Sequence, residues 1–397
     1  MPHRVPSIPS CVRTLRCIPK TICQFCWPER PSPSPLLFAK GCDLQLCDNQ
    51  LDAPRGAYIM TMRMRWLLVF TAAAIACSRA GGDKAASTVT GKTLTIAVIP
   101  KGTTHEFWKS IHAGAIQASQ ELNAAGDSVH IIWKGPLRED DREQQIQVVE
   151  GFLTQGVNGI VLAPLDRRAL VRPVEEAKSA GVPTVIIDSG LESDAIVSYI
   201  ATDNYKGGTL AANRIGQLLG GKGNVLVLRL QEGSASTEER ERGFLEEIKA
   251  KYPGITVVSS DQYAGPTRET AKRASENLLN RFGADLQGVF TSNESATIGM
   301  LLALQDIGKA GKVKFVGFDA SQILVDAIRA HQLDGIAVQN PMRMGYLGVK
   351  TMVAHLRNQP VEKKVDTGVT LVTPENLDLP ETKDIINPPI AKYLTGG

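Results

Sequence analysis

Val157-Asn-Gly-Ile-Val-Leu162 is followed by Val185-Ile-Ile-Asp188, and Asp188 stands 29 residues after Gly159. Farther along, Leu286-Gln-Gly-Val-Phe-Thr291 is followed by Phe315-Val-Gly-Phe-Asp319, and Asp319 stands 31 residues after Gly288. Each segment is a short apolar run, a spacer of helical length, and a second apolar run that stops on an aspartate. Continuous apolar runs of this length suit strands covered on both faces, as in parallel sheets. Working outward, Leu94-Thr-Ile-Ala-Val-Ile99 reads as another buried strand, and Phe107, Ile111, Ala115, Ala118 and Leu122 mark one helical face after it. Strands are expected at 129–133, 159–163 and 185–188, with helices over 145–153 and 170–180. The pattern then restarts, with strands at 224–230, 256–259, 288–291 and 314–319 and helices over 237–252, 267–282, 295–307 and 322–330. Strand–helix alternation of this kind predicts an α/β protein. Because it is played twice, the expectation is two similar doubly wound, Rossmann-like lobes.

Composition agrees. A chain of 397 residues, 43% hydrophobic and 21% charged, lies outside the disordered and fibrous classes and is long enough for two cores. The net charge of +3 is unevenly placed: residues 1–77 carry +5 and residues 78–397 carry −2. A near-neutral body has no electrostatic footprint for nucleic acid. All seven cysteines (Cys11, Cys17, Cys23, Cys26, Cys42, Cys47 and Cys77) fall in the first 77 residues, so the last 320 hold no disulfide, thiolate metal site or thiol nucleophile.

Residues 1–59 show no periodicity and contain nine of the 22 prolines. The spacing Cys23-x2-Cys26-x15-Cys42-x4-Cys47 approaches a four-thiolate zinc ribbon, but its second pair is wide and no strand pattern surrounds it. No metal is therefore expected. From Met60 a basic run, Met60-Thr-Met-Arg-Met-Arg65, precedes the apolar stretch from Trp66 to Ala76, which is too short to span a bilayer and has the layout of a signal peptide. Ala74-Ile-Ala-Cys77 resembles a bacterial lipobox, which makes Cys77 the candidate lipidated N-terminus. A signal beginning at Met60, Met62 or Met64 makes residues 1–59 an upstream, non-native extension. Residues 77–91 read as a flexible tether.

In open α/β sheets ligands sit beyond the carboxyl ends of the strands. Phe107, Trp108, Asp188, Asn293, Asp319 and Gln339 occupy such ends. Asp and Asn cap helices and turns routinely, so capping is the plain alternative for each of them. Their recurrence at matching places in both halves favours a binding cleft between the lobes.

Glu106-Phe-Trp-Lys-Ser110, Ala201-Thr-Asp-Asn204, Arg240-Glu-Arg-Gly-Phe244, Thr291-Ser-Asn-Glu-Ser-Ala-Thr-Ile-Gly299 and Val316-Gly-Phe-Asp319 follow in order. In this order and spacing the chain resembles type I periplasmic sugar-binding proteins, the ribose-binding branch that serves ABC importers, over about residues 93–375. The resemblance implies roles that the side-chain chemistry supports. Phe107, Trp108 and Phe318 would give aromatic walls for the C–H faces of a sugar ring. Asp188 and Asp319 would accept from hydroxyls, Arg240 would donate from its fork, and Asn293 and Gln339 would do both. Tyr263 is placed where the family often has another ring. The sequence also departs from the ribose pattern, with Ala163 and Pro164 in place of an asparagine, Ser189 in place of an arginine, and His105 in place of an asparagine. A larger or differently substituted polyol, or a heterocycle-bearing sugar, suits the freed volume better than ribose.

The resemblance further implies a three-segment hinge, with lobe 1 from 92–203 and 340–366, lobe 2 from 204–339 and 367–380, and a tail over 381–397. It implies a cofactor-free monomer in the cell envelope, lipid-anchored through Cys77 and partnered by an importer permease. Two rival readings compete with this one. For an enzyme, Gly216-x4-Gly221-Lys222 nearly matches a phosphate-binding loop, but Gly223 replaces the magnesium-binding Ser or Thr and the segment follows a helix. No other nucleotide or nucleophile motif occurs in context, and His105, His112, His130, His331 and His355 show no metal spacing. For a sugar-responsive transcription regulator, the prolines of residues 1–59 forbid a helix-turn-helix headpiece.

Overall fold

The structure is a computed structural model that describes residues 93–394. The N-terminal extension, the signal-like segment, Cys77 and the tether lie outside the described residues. The described chain opens with β1 (Leu94–Ile99), α1 (Glu106–Ala124), β2 (Val129–Trp133), α2 (Arg142–Gln155), β3 (Gly159–Leu162), α3 (Val171–Ser179), β4 (Thr184–Ile187) and β5 (Ser198–Ala201). It continues with α4 (Asn204–Leu218), β6 (Lys222–Arg229), α5 (Ala235–Lys251), β7 (Gly254–Tyr263) and α6 (Arg268–Phe282). Next come β8 (Gly288–Thr291), α7 (Glu294–Asp306), β9 (Lys314–Phe318), α8 (Gln322–Arg329) and β10 (Gly335–Gln339). The last elements are α9 (Pro341–Leu356), β11 (Lys364–Asp366), β12 (Val369–Val372), α10 (Pro380–Ile386) and α11 (Ile390–Leu394).

These strands form two six-stranded sheets, ordered β11-β5-β4-β3-β1-β2 and β12-β10-β9-β8-β6-β7. Every adjacent pair is parallel except β10 with β12. The strand order reverses between β1 and β3 in the first sheet and between β6 and β8 in the second, the places where doubly wound sheets open a crevice. The apolar runs explain the burial. Every residue of β3, β4, β8 and β10 is buried, because helices cover both faces.

Close helix packing needs glycine at two matching places. A Cβ on Gly114 of α1 would stand 1.9 Å from the Met342 carbonyl oxygen at the start of α9, and one on Gly208 of α4 would stand 2.0 Å from that of Arg240 in α5. The near-match to a phosphate-binding loop is the turn between α4 and β6, with Gly220 and Gly221 at positive φ.

The chain crosses between the sheets three times: at Thr202 and Asp203, at Asn340, and at Thr367 and Gly368. Two of the crossings run straight into a capped helix. The Asp203 side chain accepts from the Lys206 N–H and starts α4, and Asn340 accepts from the Arg343 N–H ahead of Pro341 in α9. The first and third crossings are tied together, since Asp366 Oδ1 accepts from the Asp203 N–H at 3.1 Å and Thr202 Oγ1 donates to the Gly368 carbonyl at 3.1 Å. Within residues 381–394, read from the sequence as a tail, 381–386 and 390–394 are helical. Ile385 and Ile386 of α10 join the core of the second lobe, and α11 packs against α1 of the first.

Candidate functional site

Asp188 and Asp319 follow the last residues of β4 and β9, and they share a backbone feature that the sequence does not announce. Their φ angles are 62° and 67°, in the left-handed region. For a residue with a Cβ this conformation costs roughly 1–2 kcal/mol, although Asp and Asn tolerate it better than most. Held strain at equivalent points of two lobes is a mark of functional geometry. Both side chains are buried, and both line one small cavity between the lobes.

The second lobe holds its aspartate rigidly. Asp319 Oδ1 accepts from Gln339 Nε2 at 2.7 Å, and Oδ2 accepts from the Glu294 N–H at 3.1 Å. Arg240 Nη1 lies 3.9 Å from Oδ2. That guanidinium is fixed in turn, donating from Nε to Asn204 Oδ1 at 2.8 Å and from Nη1 to the Ser292 carbonyl at 2.9 Å. Its carbon lies 4.0 Å from the centroid of the Phe318 ring. Phe318 therefore corrects the sequence expectation of an aromatic wall. It is fully buried in the core, does not line the cavity, and serves as the floor on which Arg240 stacks. Asn293 does what the capping alternative predicts, accepting from the Ala296 N–H at the start of α7, while also lining the cavity. Burial pushes the Asp319 carboxyl above the usual range, against the opposing pull of Arg240. Burial raises Glu294 likewise, with His105 acting the other way.

The first lobe relies on ion pairs. Lys101 Nζ sits 3.0 Å from Asp188 Oδ2 and donates to Ser236 Oγ at 3.0 Å and Ser234 Oγ at 3.3 Å, both on the opposite lobe. Ahead of α1, His105 Nδ1 lies 2.8 Å from Glu139 Oε1, and Trp108 Nε1 donates to the same oxygen at 2.5 Å. Burial alone would keep His105 neutral. The Glu139 carboxylate and its hydrogen bond outweigh burial, and Glu294 adds to them, so the imidazole is raised to about 9. Burial likewise pushes Glu139 upward, but His105, Lys101 and Trp108 prevail and hold it below the usual range. Phe107 and Trp108 meet edge to face, with ring centroids 4.9 Å apart.

Of the residues picked from the sequence, His105, Phe107, Trp108, Asp188, Arg240, Asn293, Asp319 and Gln339 line this one cavity. Tyr263 does not. It ends the edge strand β7, is 43% exposed, and its ring centroid lies 5.5 Å from the Arg229 guanidinium carbon. Two register shifts along that pair displace the strand end from where residue spacing puts it. Sequence reasoning missed Lys101, Glu139 and Glu294, although each follows a strand whose end faces the crevice: β1, β2 and β8.

The lobes are closed on one another. The Phe107 N–H donates to Glu294 Oε2 at 3.3 Å, Gln231 Nε2 to the Glu139 carbonyl at 2.7 Å, and the Ser236 N–H to Ser189 Oγ at 3.1 Å. Arg167 pairs with Glu238 across the same gap. The cavity left between them measures about 20 Å³, enough for about one water molecule. Ring walls, fixed carboxylates and a stacked guanidinium around a gap that must open and shut are equipment for enclosing a polyhydroxylated ligand.

Comparison with known proteins agrees with this geometry. Residues 96–360 match the family described as periplasmic binding protein domain. The ribose import binding protein of Bacillus subtilis is 29% identical over 282 residues, covering 71% of this chain and 88% of that protein. A carbohydrate transporter solute-binding protein from Agrobacterium radiobacter, solved with D-arabinose, is 35% identical with a TM-score of 0.70, covering 74% of this chain and 99% of its own. An ABC transporter solute-binding protein from Agrobacterium vitis, solved with D-fucose, is 36% identical with the same TM-score and coverage.

Proposed function

Because the chain belongs to the periplasmic binding protein domain family, whose members work outside the cytoplasm, we propose that it captures a sugar or related polyol between its lobes and delivers it to an ABC importer. The relatives and structural neighbours are binding proteins, and several are named for sugar import or were solved with a sugar bound. The observation that carries the reading is the pair of strand-end aspartates at positive φ, Asp188 and Asp319, one on each lobe at a common cavity. Each is a charged acceptor, and hydrogen bonds to charged groups are worth roughly 1.5–3 kcal/mol apiece. A ligand touching both is fully bonded only when the lobes shut, so it favours the closed state by differential contact. Three short crossings suit hinge bending.

On this reading Asp188, Asp319, Arg240, Asn293 and Gln339 bind hydroxyls, Phe107 and Trp108 pack against ring C–H faces, and His105 holds Glu139 at the rim. The protein acts as a monomer, tethered through a lipidated Cys77, and the importer's permease recognises the closed form. A thermal-shift panel of sugars and polyols on the full chain tests it. A cognate ligand at 100 times its dissociation constant stabilises by about 2.7 kcal/mol. A panel of pentoses, hexoses and their alditols that leaves the melting temperature unmoved would sink the reading.

A further inference from the structure

Away from the three crossings and the C-terminal segment, the bonds that join the lobes are concentrated on one turn. Among the described residues there, every cross-lobe hydrogen bond and ion pair except that from the Phe107 N–H to Glu294 lands on residues 231–238, which lead from β6 into the first turn of α5. Several of these bonds lie outside the sugar cleft. Arg142 Nη2 donates to the Glu232 carbonyl at 2.8 Å, the Arg167 N–H donates to the Gly233 carbonyl at 3.0 Å, and the Arg167 guanidinium pairs with Glu238. None of these residues lines the central cavity. The turn is fixed on its own lobe, because Glu238 Oε1 accepts from the Gly233 N–H at 2.8 Å. It is also cut to fit its partner. Gly233 has a φ of 89°, and a Cβ there would stand 2.2 Å from Asp166 Oδ2 of the first lobe. Glycine meets both conditions without strain.

We infer that this turn is a closure latch: Arg142 and Arg167 of the first lobe and Glu232, Gly233 and Glu238 of the second are positioning residues that slow the escape of an enclosed sugar without touching it. This rests on the sugar-binding reading above and extends it. The bonds exist only where the lobes meet, so they stabilise the closed state and leave the encounter with the open one alone. Contacts of that kind are read in dissociation rather than association. A neutral sugar forms no ion pair of its own. Its retention nevertheless depends on salt, because the Arg167–Glu238 pair is only half-buried at the rim, where ions screen it.

Stopped-flow tryptophan fluorescence of the full chain tests the latch, with Trp108 reporting from the cavity lining. The probes are the pentoses, hexoses and alditols of the thermal-shift panel, D-arabinose and D-fucose first. For each probe that binds, Arg167→Met and Glu238→Gln should each raise the dissociation rate about threefold and leave the association rate unchanged. The double variant should lose no more than either single one, the mark of a direct pair across the lobes. Raising salt from about 0.05 to 0.5 M should speed dissociation from the wild-type chain about twofold and leave the double variant unmoved. Gly233→Ala, which holds the turn away from Asp166, should raise dissociation about tenfold, since several bonds are lost together. Strain confined to the turn would instead lower the unliganded melting temperature and leave dissociation alone. Wild-type dissociation rates in all three single variants, or losses that add in the double variant, would overturn the latch while the sugar-binding reading stands. A panel in which nothing binds overturns both readings.

Discussion

The two lobes share one topology, yet they hold their site aspartates in opposite ways. In the second lobe Asp319 is gripped by an amide, a backbone N–H and a guanidinium that is itself stacked on Phe318. In the first, Asp188 pairs with Lys101, whose unbranched stem also reaches across to two serines of the other lobe. A planar fork fixed at several points is already organised for a ligand, whereas a lysine ammonium is a mobile point charge. The second lobe is thus a preformed platform. The first is the half whose contacts must be rearranged when the cleft opens.

The largest expected effects come from removing the two carboxylates. Asp188→Ala and Asp319→Ala should each weaken sugar binding by roughly 2–5 kcal/mol, through lost charged bonds and unpaired hydroxyls. Their stabilities should differ. Asp319→Ala strands the Gln339 amide and the Glu294 N–H in the interior, a loss of about 1–3 kcal/mol. Asp188→Ala should lose less than about 1 kcal/mol, since the Lys101 ammonium can return to water once the lobes part. Denaturant melts beside calorimetric titrations measure both quantities. Equal stability losses would erase the contrast between platform and mobile half, and intact affinities would return both residues to simple turn-forming roles.

A second contrast lies in pH. His105 stands at about 9 in the folded protein against 6.5 for the free imidazole, so it binds its proton more tightly when folded. Its contribution is complete below about pH 6.5 and is lost as pH rises through 9, amounting to at most ~3 kcal/mol. Unfolding free energy measured from pH 6 to pH 10 should fall across that window, and His105→Gln should flatten the fall. A profile unchanged by the substitution would place the titrating group elsewhere than in the first lobe's ion pairs.

Next in size is Arg240→Lys. Charge is kept, but the bonds to Asn204 and Ser292 and the stack on Phe318 are lost together. Affinity should drop by about 1–3 kcal/mol, read by the same titration. Wild-type affinity in this variant would show that the second lobe needs only a cation and not a fixed fork.

The paired lobes were legible because strands covered on both faces spell themselves as unbroken apolar runs, and because the runs at β4 and β9 both stop on aspartate. The strand-end rule then collected six of the fourteen residues that line the cavity, and the family resemblance added His105 and Arg240. It failed where the signal is not periodic. Glu139 lies in a loop with no pattern, and its tie to His105 and Trp108 exists only in three dimensions. Lys101 follows β1 with no motif around it, though the closed lobes make it a bridge. Phe318 is expected as a wall only through the family resemblance. Its ring instead lies against α4, where a Cβ on Gly207 would come within 2.7 Å of it. Helices of seven and five residues, as in α10 and α11, are shorter than the window in which periodicity can be read.

The smallest effect is expected at Tyr263. Its ring is exposed at the end of an edge strand, and its recorded partner is the Arg229 guanidinium 5.5 Å from the centroid. Exposed cation–π pairs are worth about 0.5–1 kcal/mol. Arg229 keeps its 2.6 Å bond to Glu241 without the ring, so stability should fall by no more than about 0.5 kcal/mol in Tyr263→Ala. Affinity for any sugar that binds the wild-type chain should not change, because the ring does not line the closed cavity. The substitution therefore separates the rigid interior of the second lobe from its outer edge. A tenfold loss of affinity in Tyr263→Ala would mean that β7 swings its end toward the ligand on closure, and that this lobe is less of a fixed platform than Asp319 and Arg240 make it.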